Sequence, residues 1–158
     1  MTMKTFVANV KSPVGVWSVV GTDEGVTHIH LPQDELPASK GEAPKPVADA
    51  VQQLMEYFAG SRRTFNVKLA ASPATDFQHD VWGALRKIPY GQVRTYGEVA
   101  DAVDRPRAHR AVGNANHANP WPIVVPCHRV VTSGGLGGYG GGDHVKRYLL
   151  DLEGVHYD

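Results

Sequence analysis

The 158-residue chain has one strongly nucleophilic side chain, its single cysteine, Cys127. Prolines crowd the apolar residues before it, and His128 and Arg129 follow it directly. Proline fixes the backbone φ angle and removes an N–H donor, so we expect the cysteine on a rigid, non-helical backbone at the end of a strand-like run. A thiol becomes nucleophilic as the thiolate, which a neighbouring base or positive charge favours. Cys127 is therefore a candidate nucleophile, with a buried structural cysteine as the alternative.

Charge is distributed unevenly along the chain. Sixteen Lys and Arg balance sixteen Asp and Glu, which excludes a polybasic nucleic-acid coat protein and an acidic tail protein. From Arg105 to Gly142, however, the chain has four arginines and no acidic residue. This acid-free block is a candidate surface for binding a polyanion. The alternative, which the sequence favours equally, is that the arginines cluster by chance on a solvated face.

The composition is that of an ordinary globular protein, with 42% apolar and 20% charged residues. A single cysteine excludes an intramolecular disulfide and makes a cysteine-based zinc site implausible, so no metal is expected. The first ten residues lack a secretory pattern, and no run reaches the roughly 20 apolar residues of a membrane span. We therefore expect a cytoplasmic protein with no membrane partner, since a lone thiol persists in a reducing compartment.

The first part of the chain predicts a small α/β unit. Residues 4–31 contain three short strand-like runs separated by turn signals, which predict a three-stranded antiparallel meander. A polar loop over Leu36–Pro46 precedes apolar residues at helical spacing, which predict a helix over Val47–Phe58. Phe65–Leu69 is a candidate edge strand.

The second part predicts helices. Two capping-box signatures, in which a threonine precedes a Gln or Glu by three residues, mark two helix starts, and the first helix should run to Ile88. The signatures are Thr75 with Gln78 and Thr95 with Glu98. A third helix is predicted from Arg105 to about Asn116, and a last one from the N-cap Asp143 to Gly154. Two tightly joined helices, the second rich in arginine, fit a helix-turn-helix but also occur in proteins that never bind DNA.

Several motifs from about Phe77 to Gly154 carry a family resemblance. They are Thr95-Tyr96, Arg110-Ala111-Val112-Gly113, Asn119-Pro120, Pro126-Cys127-His128-Arg129-Val130, Tyr139 in a glycine-rich loop, and Leu149-Leu150-Asp151-Leu152-Glu153-Gly154. In this order they resemble the O6-alkylguanine-DNA alkyltransferases, also called methylated-DNA–protein-cysteine methyltransferases. The first 70 residues resemble the family loosely, in predicted architecture.

The resemblance implies a two-domain fold. Residues 1–72 would form an α/β domain with its linker, a three-stranded antiparallel sheet plus a helix of ribonuclease H-like type. Residues 73–158 would form a mainly α-helical winged helix-turn-helix domain that binds DNA and accepts the alkyl group.

The resemblance also implies the reaction, which is DNA repair by direct damage reversal. The alkyl group of O6-alkylguanine, and of O4-alkylthymine, would pass irreversibly to Cys127 after the base flips out of double-stranded DNA. Because the protein is itself the acceptor, each molecule reacts once and no cofactor is needed. A monomer approaching the minor groove is expected, and cooperative assembly on DNA is left open.

Three residues would carry the chemistry by this resemblance. Glu153 would orient the imidazole of His128, which takes the thiol proton of Cys127 through a water molecule, the logic of nucleophile, base and orienting acid. From position alone Glu153 is a solvent-facing residue at a helix end, where a carboxylate is electrostatically unfavourable.

Other residues would hold the DNA and the flipped base. Arg110 would enter the vacated stack, while Ala111 and Gly113 let the helix lie close to the narrow minor groove. From position alone Arg110 is equally a phosphate-contacting arginine. Tyr96 would donate to guanine N3, and from position alone it is a core tyrosine.

The remaining residues would complete the base pocket. The backbone carbonyls of Cys127 and Val130 would accept the exocyclic amine of guanine. Tyr139, Gly140 and Gly141 would line the pocket, with backbone N–H groups contacting O6. Asn119 would act as a hinge whose side chain bonds neighbouring backbone, although an asparagine before proline is also a turn former.

Two features of the sequence bear on the pocket. The loop over residues 132–142 is one residue shorter than is usual in the family, and Gly140 stands where a serine often occurs, which predicts a more open pocket and leaves the preferred alkyl size undecided. Lys146 matches a family lysine near the site, but a lysine on the helix surface is expected.

Three other functions remain as alternatives. An alkyltransferase-like protein would bind the damaged base without transfer, and such proteins replace the cysteine. A winged-helix regulator would leave Glu153 and the residues around Cys127 unexplained. A cysteine hydrolase would turn over repeatedly.

Overall fold

The computed structural model describes residues 4–157. The chain forms two compact units that divide between Ser72 and Pro73. Among the described residues, no helix combines the length and apolar character needed to cross a membrane.

The first unit contains the predicted antiparallel meander, which is confirmed. Its strands are β1 (Phe6–Ser12), β2 (Gly15–Thr22) and β3 (Gly25–His30), in the order β1-β2-β3. Helix α1 (Lys45–Phe58) begins two residues earlier than predicted and packs on β1 and β2. Four of its side chains, spaced at helical intervals, are fully buried: Val47, Ala50, Leu54 and Tyr57. The helix therefore covers one face of the sheet with its apolar stripe.

The predicted edge strand over Phe65–Leu69 is wrong. This segment makes one isolated parallel bridge, between Leu69 and Val26. The Val26 N–H donates to Lys68 O and the Ala70 N–H donates to Val26 O, each at 2.9 Å. The segment thus pairs with the first residues of β3 through one parallel bridge and does not form a strand along it.

The second unit contains four helices among its described residues. They are α2 (Asp76–Leu85), α3 (Tyr96–Ala102), α4 (His109–His117) and α5 (Asp143–Leu152). Strands β4 (Arg94–Thr95) and β5 (Val130–Val131) form a short parallel pair. Both predicted capping boxes are confirmed, because each threonine hydroxyl accepts the backbone N–H three residues on and each Gln or Glu side chain closes the reciprocal bond.

Helix boundaries in this unit differ from the predictions in α2, α4 and α5, and α5 ends at Leu152 instead of Gly154. Helix α2 ends at Leu85 instead of Ile88. Helix α4 begins at His109 instead of Arg105, since Pro106 disfavours helical backbone at the residue before it and Asp104 takes a left-handed φ of 59°. Asp143 is the first residue of α5 and not its N-cap. That position belongs to Gly142, whose φ of 93° suits glycine.

Tryptophans fix helix α4 against its neighbours. Trp82 of α2 donates its indole N–H to Ala115 O of α4 at 2.9 Å, and its ring meets Trp121 edge to face at 5.8 Å. Val112 and Ala115 of α4 are buried. The last turn of α4 is thereby held next to the segment that leads to Cys127.

Candidate active site

Cys127 opens a single turn of 3-10 helix (Cys127–Arg129) and is 6% exposed. The predicted non-helical, strand-like backbone is therefore wrong at the cysteine itself, and the residues before it form only an isolated bridge between Pro122 and Val125. Burial raises the pKa of the thiol, while a hydrogen bond from Asn119 and the charge of Lys146 oppose that rise. The buried thiol needs help from neighbours to ionise.

His128 has a defined tautomer. Its Nε2 lies 2.7 Å from Glu153 Oε2, and both side chains are fully buried. Burial lowers the pKa of His128, against the raising effect of the carboxylate, so the ring is neutral near pH 7. An ionised carboxylate only accepts hydrogen bonds, so Nε2 carries the proton and Nδ1 keeps the free lone pair. Nδ1 is buried without a hydrogen-bond partner among the described residues, which suits it to act as a base.

Arg129 neutralises the charge of Glu153. Its Nε donates to Oε1 at 2.8 Å and its Nη2 to Oε2 at 3.1 Å, while Nη1 donates to Ile88 O at 2.7 Å. Burial alone would raise the pKa of Glu153, but the hydrogen bonds from His128 and Arg129 and the charge of Arg129 outweigh it and hold that pKa well below its usual range. Because His128 is neutral, Arg129 is the cation that balances the carboxylate. The sequence pointed to Arg129 only as a promoter of the thiolate.

Lys146 is fully buried, so the predicted surface position is wrong. Its ammonium group donates to Val130 O at 2.6 Å and to Gly138 O at 3.0 Å, which ties the glycine-rich loop to β5. Burial lowers its pKa from 10.5 to about 8, against the opposing charges of Cys127 and Asp143. A signal for burial was present in the sequence, because Lys146 shares a helix face with Leu149 and Leu150, which follow it by three and four residues.

The lowered pKa of Lys146 predicts a stability change with pH. Between pH 8 and 10.5 the unfolded chain keeps a proton on this lysine that the folded protein has lost, so stability rises with pH in that window. We expect Lys146→Met to remove this rise. The difference in unfolding free energy between the parent and the variant should therefore change by up to about 1.4 kcal/mol per pH unit across the window, in favour of the parent as pH rises.

Urea unfolding from pH 7 to 10 measures this difference. Both proteins should carry Cys127→Ala, so that the buried thiol does not titrate in the same range. A difference that stays constant from pH 7 to 10 would mean that Lys146 keeps its charge in the fold.

Asn119 bonds neighbouring backbone. Its Nδ2 donates to Val125 O at 2.8 Å, and its Oδ1 accepts the Trp121 N–H at 3.0 Å. These bonds shape the chain between α4 and Cys127.

Tyr96 lies half-buried at the start of α3. A Cβ at Gly113 of α4 would lie 3.8 Å from its ring and one at Gly137 would lie 3.3 Å away, so two glycines flank the ring. Gly137 also has a left-handed φ of 76°. Burial raises the pKa of Tyr96, which keeps the phenol protonated and able to donate near neutral pH.

Tyr139 brings a second phenol to Cys127. Burial raises its pKa well above 10, and the neighbouring Cys127 sulfur raises it further. Its hydroxyl is buried and lacks a well-formed hydrogen bond among the described residues. Gly140 and Gly141 follow it in the loop, half-buried and buried respectively.

The acid-free block divides between surface and core. Arg110 and Ala111 are exposed on α4, and Arg107 is exposed just before it. Arg105 lies 3.9 Å from Asp80, and Arg129 is buried in the ion pair. The block therefore offers fewer free cations to a polyanion than its composition suggests.

The two carbonyls assigned to the exocyclic amine already have donors within the chain. Cys127 O accepts the Val130 N–H and, at 3.2 Å, Nδ2 of Asn116. Val130 O accepts Lys146 Nζ. A carbonyl has two lone pairs, so Cys127 O is saturated while Val130 O can accept one more bond. No pattern in the sequence points to Asn116 as a site residue, because its contact with Cys127 O appears only in the fold.

Comparison with known proteins gives the context of this site. Residues 76–155 match the family described as 6-O-methylguanine DNA methyltransferase, DNA binding domain, and residues 5–71 match its ribonuclease-like domain. The chain belongs to the 6-O-methylguanine DNA methyltransferase family. The resemblance inferred from residues 77–154 is confirmed, and it extends over the first unit, where the sequence motifs were loose.

Family members with curated names cover nearly the whole chain. The methylated-DNA–protein-cysteine methyltransferase of Methanosarcina acetivorans is 44% identical over 94% of this chain and 98% of its own. The constitutive enzyme of Bacillus subtilis is 40% identical over 96% of this chain and 97% of its own. The crystal structure of Mycobacterium tuberculosis OGT in complex with DNA is 45% identical, covers 94% of this chain and 92% of its own, and has a TM-score of 0.81.

Proposed function

We propose that this protein repairs DNA by moving an alkyl group from O6 of guanine to its own Cys127. The observation that carries the proposal is the buried array in which Arg129 fixes Glu153 and Glu153 fixes His128. The Nδ1 of His128, the residue that follows the nucleophile, is thereby left as a base. Family relatives named methylated-DNA–protein-cysteine methyltransferase support the same reaction.

The array supplies the steps of an in-line displacement. His128 Nδ1 takes the thiol proton through a water molecule, and the Cys127 thiolate attacks the alkyl carbon. The carbon–O6 bond breaks, its electron pair stays on the guanine, and a carbon–sulfur bond forms. Tyr96 donates a hydrogen bond to guanine N3, where negative charge develops as the base leaves. A thioether is stable, so each protein reacts once.

The alkyl carbon lies within the base stack, so the nucleotide must rotate out before the thiolate can reach it. We assign this step to α3 and α4 as the helix-turn-helix of a winged domain that approaches from the minor groove, with Arg110 filling the vacated space. Ala111 is exposed and Gly113 carries no side chain, which lets α4 lie close to DNA. The first unit is proposed to be ribonuclease H-like.

The cellular setting follows from the free thiol. A reducing compartment keeps Cys127 unoxidised, so we propose a cytoplasmic location. We also propose that the protein acts as a monomer. Asn119 serves as the hinge between α4 and Cys127, and the loop with Tyr139, Gly140 and Gly141 covers the base.

Mass spectrometry after incubation with duplex DNA containing O6-methylguanine tests the function. We expect one methyl group on the peptide that contains Cys127, saturating at one per protein, and none in Cys127→Ala. Tight binding without modification would point to an alkyltransferase-like protein. Repeated turnover would point to a hydrolase, and methylation that persists in Cys127→Ala would overturn the assignment.

A further inference from the structure

A tight turn between α2 and β4 contacts both members of the buried ion pair. At its start, Ile88 O accepts a hydrogen bond from Arg129 Nη1 at 2.7 Å. Three residues later, the Gly91 N–H donates to Glu153 Oε1 at 3.2 Å. The turn therefore presents an acceptor to the cation and a donor to the anion, which is the polarity that each of them needs.

Tyr90 holds the same turn against the end of α5. Its hydroxyl donates to Leu152 O at 3.1 Å, and the Arg129 guanidinium lies 5.8 Å from the centre of its ring, within the range of a cation–π contact. Leu152 directly precedes Glu153 in the chain. The Tyr90 bond therefore fixes where the turn lies relative to the residue that carries the carboxylate.

The Gly91 N–H gives each carboxylate oxygen of Glu153 two donors. Oε1 accepts Arg129 Nε and the Gly91 N–H, while Oε2 accepts Arg129 Nη2 and His128 Nε2. Because Arg129 directly follows His128, its two bonds tie the carboxylate only to the short turn that carries the base. The Gly91 bond ties the carboxylate to a different part of the chain, and so fixes the imidazole relative to the surrounding fold.

Position 91 requires glycine for this bond. The Gln92 N–H donates to Pro89 O at 3.1 Å, and Gly91 within that turn has a φ of 80°, which disfavours residues with a side chain. A Cβ at Gly91 would lie 3.1 Å from Glu153 O. Since that neighbour is a backbone atom at the end of α5, the turn would have to move away from it and would take the N–H with it.

We infer that Gly91 is a positioning residue for alkyl transfer, and that its backbone N–H holds Glu153 and thereby the imidazole of His128. This inference rests on the proposed function and adds to it a residue that the sequence marks only as the end of a helix. A base must lie within hydrogen-bond reach of the proton it takes, directly or through one water, and small displacements are costly in rate. Loss of this charge-assisted bond should slow transfer by about tenfold.

Replacing the Gly91 amide by an ester tests the inference, because an ester lacks the N–H and adds no side chain. Glycolic acid would take the place of Gly91 during cell-free translation. In single-turnover transfer from a duplex containing O6-methylguanine, we expect a maximum rate about tenfold lower and an unchanged half-saturating DNA concentration. A maximum rate equal to that of the wild type would overturn the inference.

A matched pair of alanine variants separates positioning from backbone strain. Gly60, in the first unit, also has a φ of 80°, but a Cβ there would meet no atom within 4 Å. Gly60→Ala should therefore introduce the same backbone strain and transfer the methyl group at the wild-type rate. Gly91→Ala should be slowed at least as much as the ester. Equal rates in the two alanine variants would overturn the inference.

A Glu153→Ala background shows whether Gly91 acts through the carboxylate. Without its acceptor the Gly91 N–H has no bond to lose, so the ester should change the rate of Glu153→Ala by less than about twofold. A further tenfold loss in that background would mean that the N–H acts elsewhere, and would also overturn the inference. Absence of transfer by the wild type would instead overturn the proposed function.

Discussion

Replacing Glu153 with alanine is expected to remove about 3–5 kcal/mol of the free energy of unfolding, because it leaves the buried Arg129 guanidinium without its counter-charge. The same change removes the acceptor that fixes the tautomer of His128, so methyl transfer to Cys127 should slow by about 100-fold or more. Glu153→Ala should therefore affect both stability and rate strongly, because the carboxylate balances the charge of Arg129 and also orients His128.

Urea unfolding and single-turnover transfer, measured on the same samples, separate the two effects. Asp151→Ala removes a carboxylate two residues away that pairs with His156 at the exposed surface, and should change stability by about 0.5 kcal/mol or less. A Glu153→Ala protein as stable as this control would contradict the role of the ion pair.

A double variant tests why Glu153 matters. Arg129→Met alone should also be destabilising, because it leaves a buried carboxylate uncompensated. In the double variant, the total loss of unfolding free energy should be about 0.5–3 kcal/mol smaller than the sum of the losses in the two single variants. Transfer should stay slow in the double variant, since His128 still lacks its orienting partner. Additive losses in stability would mean that the two side chains act independently.

Local signals made much of the fold predictable. The meander follows from short runs of strand-forming residues between turn signals, and the starts of α2 and α3 follow from capping boxes, which depend on residues three apart. The start of α4 was missed because a single proline, Pro106, outweighs the helix-forming residues around it. The N-cap of α5 was missed because the backbone conformation of Gly142 replaces a side-chain cap there.

The candidate site was less predictable, because its contacts join distant parts of the chain. Arg129 meets Glu153 across 24 residues and Lys146 meets Val130 across 16. The spacing of apolar residues does not predict contacts between such distant residues. The family motifs identify site residues but do not show which side chains contact each other. Lys146 is instructive, since its place on an apolar helix face argued for burial while its charge argued for solvent.

Replacing Arg110 with alanine is expected to slow transfer from O6-methylguanine in duplex DNA by about 100-fold. Flipping a nucleotide costs a few kcal/mol, and the side chain that fills the empty stack repays part of that cost. About 3 kcal/mol of lost support corresponds to roughly a 100-fold slower rate. Arg110 is exposed on α4, away from the buried array, so stability should change little.

Comparison of two substrates decides whether Arg110 acts on flipping. Reaction with free O6-benzylguanine needs no flipping, so Arg110→Ala should react with this base at close to the wild-type rate. Arg107→Ala removes an exposed arginine that lies before α4, and as a phosphate-contact control it should weaken duplex binding most at low salt and reduce the salt dependence of binding. Equal slowing of Arg110→Ala on both substrates would refute the flipping role. A loss that Arg107→Ala reproduces, and that becomes smaller as the salt concentration rises, would assign Arg110 to the phosphate backbone instead.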